Sequence, residues 1–179
     1  MAGTAIADRI ETARLILRPP EEPDLDSWAA LHADAEATRF IGGVQSRGQS
    51  WRSMAAEAGS WRMKGYGMYS VIEKASGAWV GRVGPHWPEG YPGLEVGWAV
   101  LRAHWGQGFA KEAAEAAVDE VFRRLDYDQL IHLIDPENLR SIRLAESLGA
   151  HCAGAQQLPD PYERFTVECW QLSREARAA

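Results

Sequence analysis

A chain of 179 residues, 46% hydrophobic and 25% charged, is long enough to bury a sizeable core, and no linker or repeat divides it, so a single domain over residues 1–179 is expected. Nineteen basic residues against twenty-five acidic ones leave a net charge of −6, which argues against nucleic acid as the main partner. No apolar run is long enough to cross a bilayer, and the opening MAGTAIADRIETARLILRP lacks the continuous apolar stretch of a secretion signal; a cytoplasmic protein without a membrane partner is expected.

In chain order, residues 13–18 (A-R-L-I-L-R) read as a first strand, stopped by Pro19 and Pro20. Asp24–His32 reads as a helix with Trp28 and Leu31 turned inward, and Ser50–Lys64 as a second helix; the glycine-rich F-I-G-G-V-Q-S-R-G-Q between them reads as a loop. Met68–Glu73 and Trp79–Gly84 read as two strands joined across Ser76-Gly77. Residues 85–93, P-H-W-P-E-G-Y-P-G, carry too many prolines and glycines for regular structure. Leu94–Leu101 is a strand that runs into a turn holding Gly106 and Gly108. Beyond it, Ala110, Ala113, Ala114, Ala117, Val118, Val121, Phe122 and Leu125 share one face of a 3.6-residue period, with charged residues opposite, acidic early and basic late. Gln129–Ile134 is the next strand, so strand, helix and strand fit a right-handed parallel crossover. Asn138–Leu148 reads as a short helix stopped by Gly149, and residues 151–155 and 164–172 as a closing antiparallel pair. Cys152 and Cys169 are expected as ordinary buried thiols, the five histidines show no ligand spacing, and no metal is expected.

The strand, glycine turn and helix start over residues 96–113 form a seat for a phosphate-bearing ligand, because glycines admit close approach and the first helical N–H groups point outward with partial positive charge. A dinucleotide fold places such a turn in its first strand-helix unit, whereas this one follows five predicted elements; a phosphate loop needs Gly-Lys-Ser/Thr, which is missing.

W-G-Q-G-F-A, residues 105–110, resembles the pyrophosphate motif Gln/Arg-x-x-Gly-x-Gly/Ala of the GNAT N-acetyltransferase family, with Trp105 in place of Gln/Arg. N-L-R-S-I-R-L-A-E-S-L-G-A, residues 138–150, resembles the family's second signature, and A-R-L-I-L-R-P with W-G-Q-G-F-A-K-E-A points to its RimJ/RimL-type branch. The resemblance covers about residues 10–173. It implies an α/β (α+β mixed) fold, a twisted mixed sheet of about seven strands splayed at the centre and flanked by about four helices.

That resemblance further implies acetyl-CoA as co-substrate, lying in the splay between the strands at 94–101 and 129–134. Its pyrophosphate would be held by Gly106, Gln107, Gly108, Phe109 and Ala110, and its pantetheine by the strand edge at Trp98, Ala99 and Val100, with Asn138 and Ser141 beside it. A charge at a helix terminus is worth about 0.3–2 kcal/mol and micromolar binding needs about 8, so the pantetheine and adenine contacts must supply most of the affinity.

The implied chemistry is direct attack of an amine, either a small molecule or a protein N-terminus, on the thioester, with a backbone N–H near Val100 as oxyanion donor. Glu95 is either the base that takes the amine proton or an outward solvated carboxylate. Ser141 either steers the thiolate or bonds its own helix backbone; Asn138 either holds pantetheine or only caps the helix. Where many relatives carry a tyrosine acid, this chain has Ala145, which leaves a non-catalytic acyl-CoA-binding domain as the competing reading. His86, Trp87, Tyr91, Trp51, Trp61 and Phe40 either line the acceptor pocket or anchor core and loops; Glu89, Asp160 and Glu163 either attract a cationic acceptor or are plain solvated charges. Exposed apolar residues on the late strands would support a homodimer.

Overall fold

The Ala-rich stretch behind the glycine turn folds as expected from its period. In the computed structural model, which describes residues 5–160 and 162–178, it forms a helix from Phe109 to Arg124. Ala113, Ala114, Ala117, Val118 and Val121 are wholly buried along one stripe of this helix, and Arg123 and Arg124 complement the dipole in its last turn.

Counted along the chain, the strands are β1 (Ile10–Glu11), β2 (Leu15–Arg18), β3 (Tyr69–Glu73), β4 (Trp79–His86), β5 (Glu95–Val100), β6 (Gln129–Ile134), β7 (His151–Gln157) and β8 (Thr166–Ser173). The helices are α1 (Leu25–Ala33), α2 (Ala35–Thr38), α3 (Arg47–Lys64), α4 (Phe109–Arg124), α5 (Leu139–Leu148) and α6 (Arg174–Ala178). All strands join one sheet in the order β1-β2-β3-β4-β5-β6-β8-β7, antiparallel throughout except for β5 against β6. The eighth strand beyond the expected seven is the two-residue β1, and the two helices beyond four are the single turns α2 and α6, too short to show a period.

The main core lies under α4, with Leu15, Leu17, Val71, Val83, Val96 and Leu130 from the sheet; a smaller cluster of Trp28, Leu31, Met54, Trp79 and Ala99 lies under α1 and α3 on the opposite face. Five boundaries differ from expectation by two residues or more: β2 starts at Leu15, β7 runs on to Gln157, β8 starts at Thr166, and the other two have a visible cause. The second helix begins at Arg47 because Ser46 and Gln49 form a capping box, so part of the expected loop is helical. Pro85 and His86 extend β4: Pro85 faces Val96 at a non-hydrogen-bonded position, so its missing N–H removes no bond to β5.

Cys152 is exposed and Cys169 half-buried, because β7 is an edge strand with an open face; the expectation of two buried thiols is corrected. The large exposed apolar side chains are Val44, Trp51, Met63 and Leu139, none of them on β7 or β8, so the late strands offer no apolar dimer surface among the described residues. No helix among the described residues is long and apolar enough to cross a membrane.

Candidate functional site

The parallel pairing of β5 and β6 stops after one bridge, Glu95 with Ile131, closed by Ile131 N–H donating to Leu94 O at 3.0 Å. The next rung of a parallel ladder would join Leu133 N–H to the Val96 carbonyl. Instead, Leu133 N–H donates to Glu95 Oε1 at 3.4 Å, and His132 Nδ1 donates to Val96 O at 2.7 Å. Two side chains thus satisfy the backbone groups at which the sheet opens. His132 is wholly buried, burial pushes its pKa down to about 4, and its Nε2 has no partner. Nothing in the sequence marked His132, because its partner carbonyl lies 36 residues away.

Leu101 N–H donates to Val80 O, so in this antiparallel pair the odd-numbered residues of β5 serve β4, and Val96, Trp98 and Val100 turn their backbone groups toward the opening. Val100 O is already occupied by the Trp105 indole N–H at 2.8 Å, which leaves the Val100 N–H and both Trp98 groups as the free edge. Ala99 points its backbone at β4 instead and buries its methyl group beneath α1 and α3, so of the three expected strand residues it is the one that offers the opening nothing.

At the far end of β5, Gly106 and Gly108 adopt φ of 74° and 79°, the left-handed region that a side chain resists, and Gly108 is the N-cap of α4 without any side-chain cap. Among the described residues, the N–H groups of Gly106, Gln107, Gly108, Phe109 and Ala110 meet no acceptor, and the loop from Gly106 to Gly108 is exposed. Arg14, anchored on Glu112 at 2.7 Å and on Gln107 O at 2.9 Å, stacks 4.6 Å over the Phe109 ring and adds positive charge beside the turn.

On α5, Asn138 is the N-cap, its Oδ1 accepting from Ser141 N–H at 3.3 Å. Ser141 Oγ accepts the Trp98 indole N–H at 3.1 Å rather than bonding its own helix, so it stands at the opening. Ala145 is wholly buried in the core and has no group that could donate a proton.

The opposite face, under α1 and α3, carries the titratable groups. His86 and Glu95 are directly opposed on β4 and β5, as are Arg82 and Ala99, so their side chains share this face. Glu57 of α3 is buried beneath them, with Oε1 2.8 Å from His86 Nδ1 and Oε2 accepting from Met68 N–H at 3.0 Å. Burial opposes charge on both partners of this pair, yet their contact wins: the Glu57 carboxyl is held below, and the His86 imidazole above, its ordinary value. Burial pushes the half-buried Glu95 carboxyl above the usual carboxylate range, against the pull of His86, Leu133 N–H and Arg82. Glu95 is therefore not an outward solvated carboxylate.

Of the aromatic candidates, His86 and Tyr91 pack edge to face at 5.4 Å beside Glu95. Trp87 and Tyr91 line a neighbouring hollow of about 520 Å³ with Tyr66 and Lys64. Trp61 packs on Tyr69 in the core, Trp51 is exposed on α3, and Phe40 lies under Arg39, none of them in the cluster. Glu89, Asp160 and Glu163 are exposed. Glu57 and Arg82 were invisible in the sequence: one is a polar residue in a helix without strong amphipathicity, the other a lone arginine in a strand.

The family model for the acetyltransferase (GNAT) domain matches residues 14–151. An uncharacterised N-acetyltransferase of Bacillus licheniformis, p20, is 30% identical over 144 residues, covering 79% of this chain and 81% of its own. The crystal structure of an acetyltransferase from Agrobacterium tumefaciens str. C58 superposes with a TM-score of 0.83 at 24% identity, covering 94% of this chain and 95% of that one. RimL, a ribosomal L7/L12 alpha-N-protein acetyltransferase solved in complex with coenzyme A, superposes at 0.76 with 17% identity, covering 94% and 99%. A splayed sheet with an uncapped glycine turn on one side, matched over most of its length by this family, makes the chain a member of the GNAT family and an N-acetyltransferase.

Proposed function

We propose that the protein moves the acetyl group of acetyl-CoA to a primary amine while holding both substrates in the sheet opening. The observation that carries the reading is the convergence, at one break in the sheet, of unpartnered backbone N–H groups on one side and a carboxyl of raised pKa on the other. RimL, of the same fold, binds coenzyme A. The site residues here fit such a ligand: the N–H groups of Gly106–Ala110 suit a pyrophosphate, and the free groups of Trp98 and Val100 suit the amides of an extended arm. Asn138 and Ser141 border the same arm.

An arm extending from the glycine turn back along β5 would end near Trp98 and Gly97, next to Glu95 in the chain. Acetyl-CoA supplies the acetyl group as a thioester; the amine nitrogen bonds to its carbonyl carbon, the carbon–sulfur bond breaks, and the electron pair leaves with sulfur. Glu95 takes the proton of the incoming ammonium, directly or through water, and its raised pKa matches that task. The free Trp98 N–H, at the end of the arm, would face the carbonyl oxygen, which leaves the Trp98 carbonyl and the Val100 N–H for the amides of the arm. Ala145 offers no proton to the leaving sulfur, so the second proton, shed by the nitrogen once it has bonded to the carbonyl carbon, passes to the thiolate directly or through water and gives the free thiol.

The reading is tested by thiol release from acetyl-CoA over a panel of small amines and N-terminal peptides, with the acetylated product identified by mass. Turnover on at least one amine is expected. Binding of acetyl-CoA without turnover on any of them would overturn the catalytic reading.

A further inference from the structure

Arg82 is the charged group of this face that the transfer itself does not use. Its Nε is buried without a hydrogen-bond partner, its Nη1 donates only to Met68 Sδ at 2.8 Å, and it forms no ion pair among the described residues. The two carboxylates nearby are engaged elsewhere, Glu57 by His86 and Met68 N–H, and Glu95 by Leu133 N–H. A guanidinium withdrawn from water without a carboxylate is costly, and its planar fork is shaped for one.

The position of the fork is fixed by its neighbours. The Met68 methyl stands 2.8 Å from the point where a Cβ on Gly97 would sit, and Glu95 Oε1 is 3.5 Å from the same point. The bare backbone of Gly97 thus makes room for the Met68 methyl, whose sulfur accepts from Arg82, and Glu95 reaches the same spot from its own strand. A buried guanidinium with an unpartnered donor and a proton acceptor on the same sheet face match a ligand that carries both an amine and a carboxylate.

We infer that the acceptor amine also carries a carboxylate, as an amino acid does, held on Arg82 so that the amine faces Glu95; this rests on the acetyl-transfer reading above. A protein N-terminus, whose α-carbon carries an amide in place of an acid, leaves Arg82 unpaired. A polyamine brings a second cation to it.

The test uses matched trios, each an L-amino acid, its carboxamide and its decarboxylated amine, over apolar, polar and acidic side chains, with kcat and KM measured separately. In the native enzyme the acid should exceed the carboxamide in kcat/KM by about 100-fold, the discrimination expected when a charged group loses its partner. In Arg82→Gln and Arg82→Lys the loss should fall mainly on the KM of the acid, so the ratio collapses, whereas a purely structural arginine would lower all three acceptors alike. A carboxamide or amine used as well as the acid, or a ratio unchanged in Arg82→Gln, overturns the proposal. If no acceptor turns over, calorimetry on the coenzyme A-loaded protein still decides: binding of the acid over the carboxamide supports the carboxylate grip although catalysis fails, and equal or absent binding overturns it.

Discussion

The two sides of the sheet opening are built from different materials. The side facing α4 is backbone: the N–H groups of Gly106–Ala110 and the free edge at Trp98 and Val100, with left-handed glycines setting the turn. The side facing α1 and α3 is side chain: Glu57, Arg82, His86 and Glu95, drawn from three elements. Backbone donors recognise what every acyl-CoA shares and tolerate drift in their side chains, whereas side chains recognise what one acceptor has and lose it with a single substitution. The difference predicts where mutations are silent and where they are fatal.

The largest effect is expected at Glu95. In Glu95→Gln the amide oxygen still accepts Leu133 N–H, so the opening keeps its shape, but the proton acceptor is lost. The expected loss in kcat/KM is about 100- to 10,000-fold, with acetyl-CoA affinity changed by less than about 3-fold. Steady-state kinetics alongside calorimetry check both figures; equal losses in rate and in cofactor binding would erase the distinction between the two sides.

Next in size is the acid response of the two buried histidines. Burial pushes His32 and His132 down to about 4 from 6.5. The unfolded chain takes up these protons first, so their contribution is full above pH 6.5 and drains away as pH falls toward about 4, by about 3 kcal/mol for each histidine. Urea melts between pH 7 and 4.5 should show this decline. His132→Gln should reduce it, because an amide N–H can donate to Val96 O without titrating; an unchanged decline would remove His132 from its place as keeper of the opening.

The backbone side was the legible half. Helix period, glycine spacing and the Asn138–Ser141 cap are local patterns, and all of them fall where the sequence put α4, its turn and α5. The side-chain half was mostly illegible because Glu57, Arg82 and His132 gain their meaning from partners 11 to 36 residues away, across strand registers that no local period encodes. Glu95 was visible only through the turn downstream of it. The exposed face of β7 shows the same lesson in reverse: a cysteine's burial habit says little when its strand ends up on an edge.

Gly108 tests the backbone side. A valine there must hold a φ of 79° and bring its Cβ within 3.4 Å of Arg14 Nη2. The left-handed strain alone costs about 1–2 kcal/mol, so part of any loss belongs to the fold. Gly108→Ala carries similar strain with less bulk, and Gln107→Ala removes an exposed side chain while keeping its N–H. Coenzyme A affinity should fall about 10- to 100-fold in Gly108→Val, less in Gly108→Ala and by under about 3-fold in Gln107→Ala. A Gln107→Ala loss as large as that of Gly108→Val would mean that the turn binds through side chains after all.

The smallest expected effect is a displacement of the pH profile by the Glu57–His86 pair, and its sign separates two opposing influences on Glu95. The His86 cation lowers the Glu95 pKa, while the Glu57 carboxylate raises it, with His86 the stronger of the two. His86→Gln removes the cation and leaves the anion, so Glu95 holds its proton to higher pH and the acidic limb of kcat/KM moves alkaline. Glu57→Gln removes the anion, but it also withdraws the hydrogen bond that keeps His86 protonated, so part of the cation is lost with it. The two changes then oppose each other, and the limb should shift less than in His86→Gln. A larger shift in Glu57→Gln than in His86→Gln would show that Glu57 acts on the base by its own charge, and that His86 serves only to hold Glu57 in place.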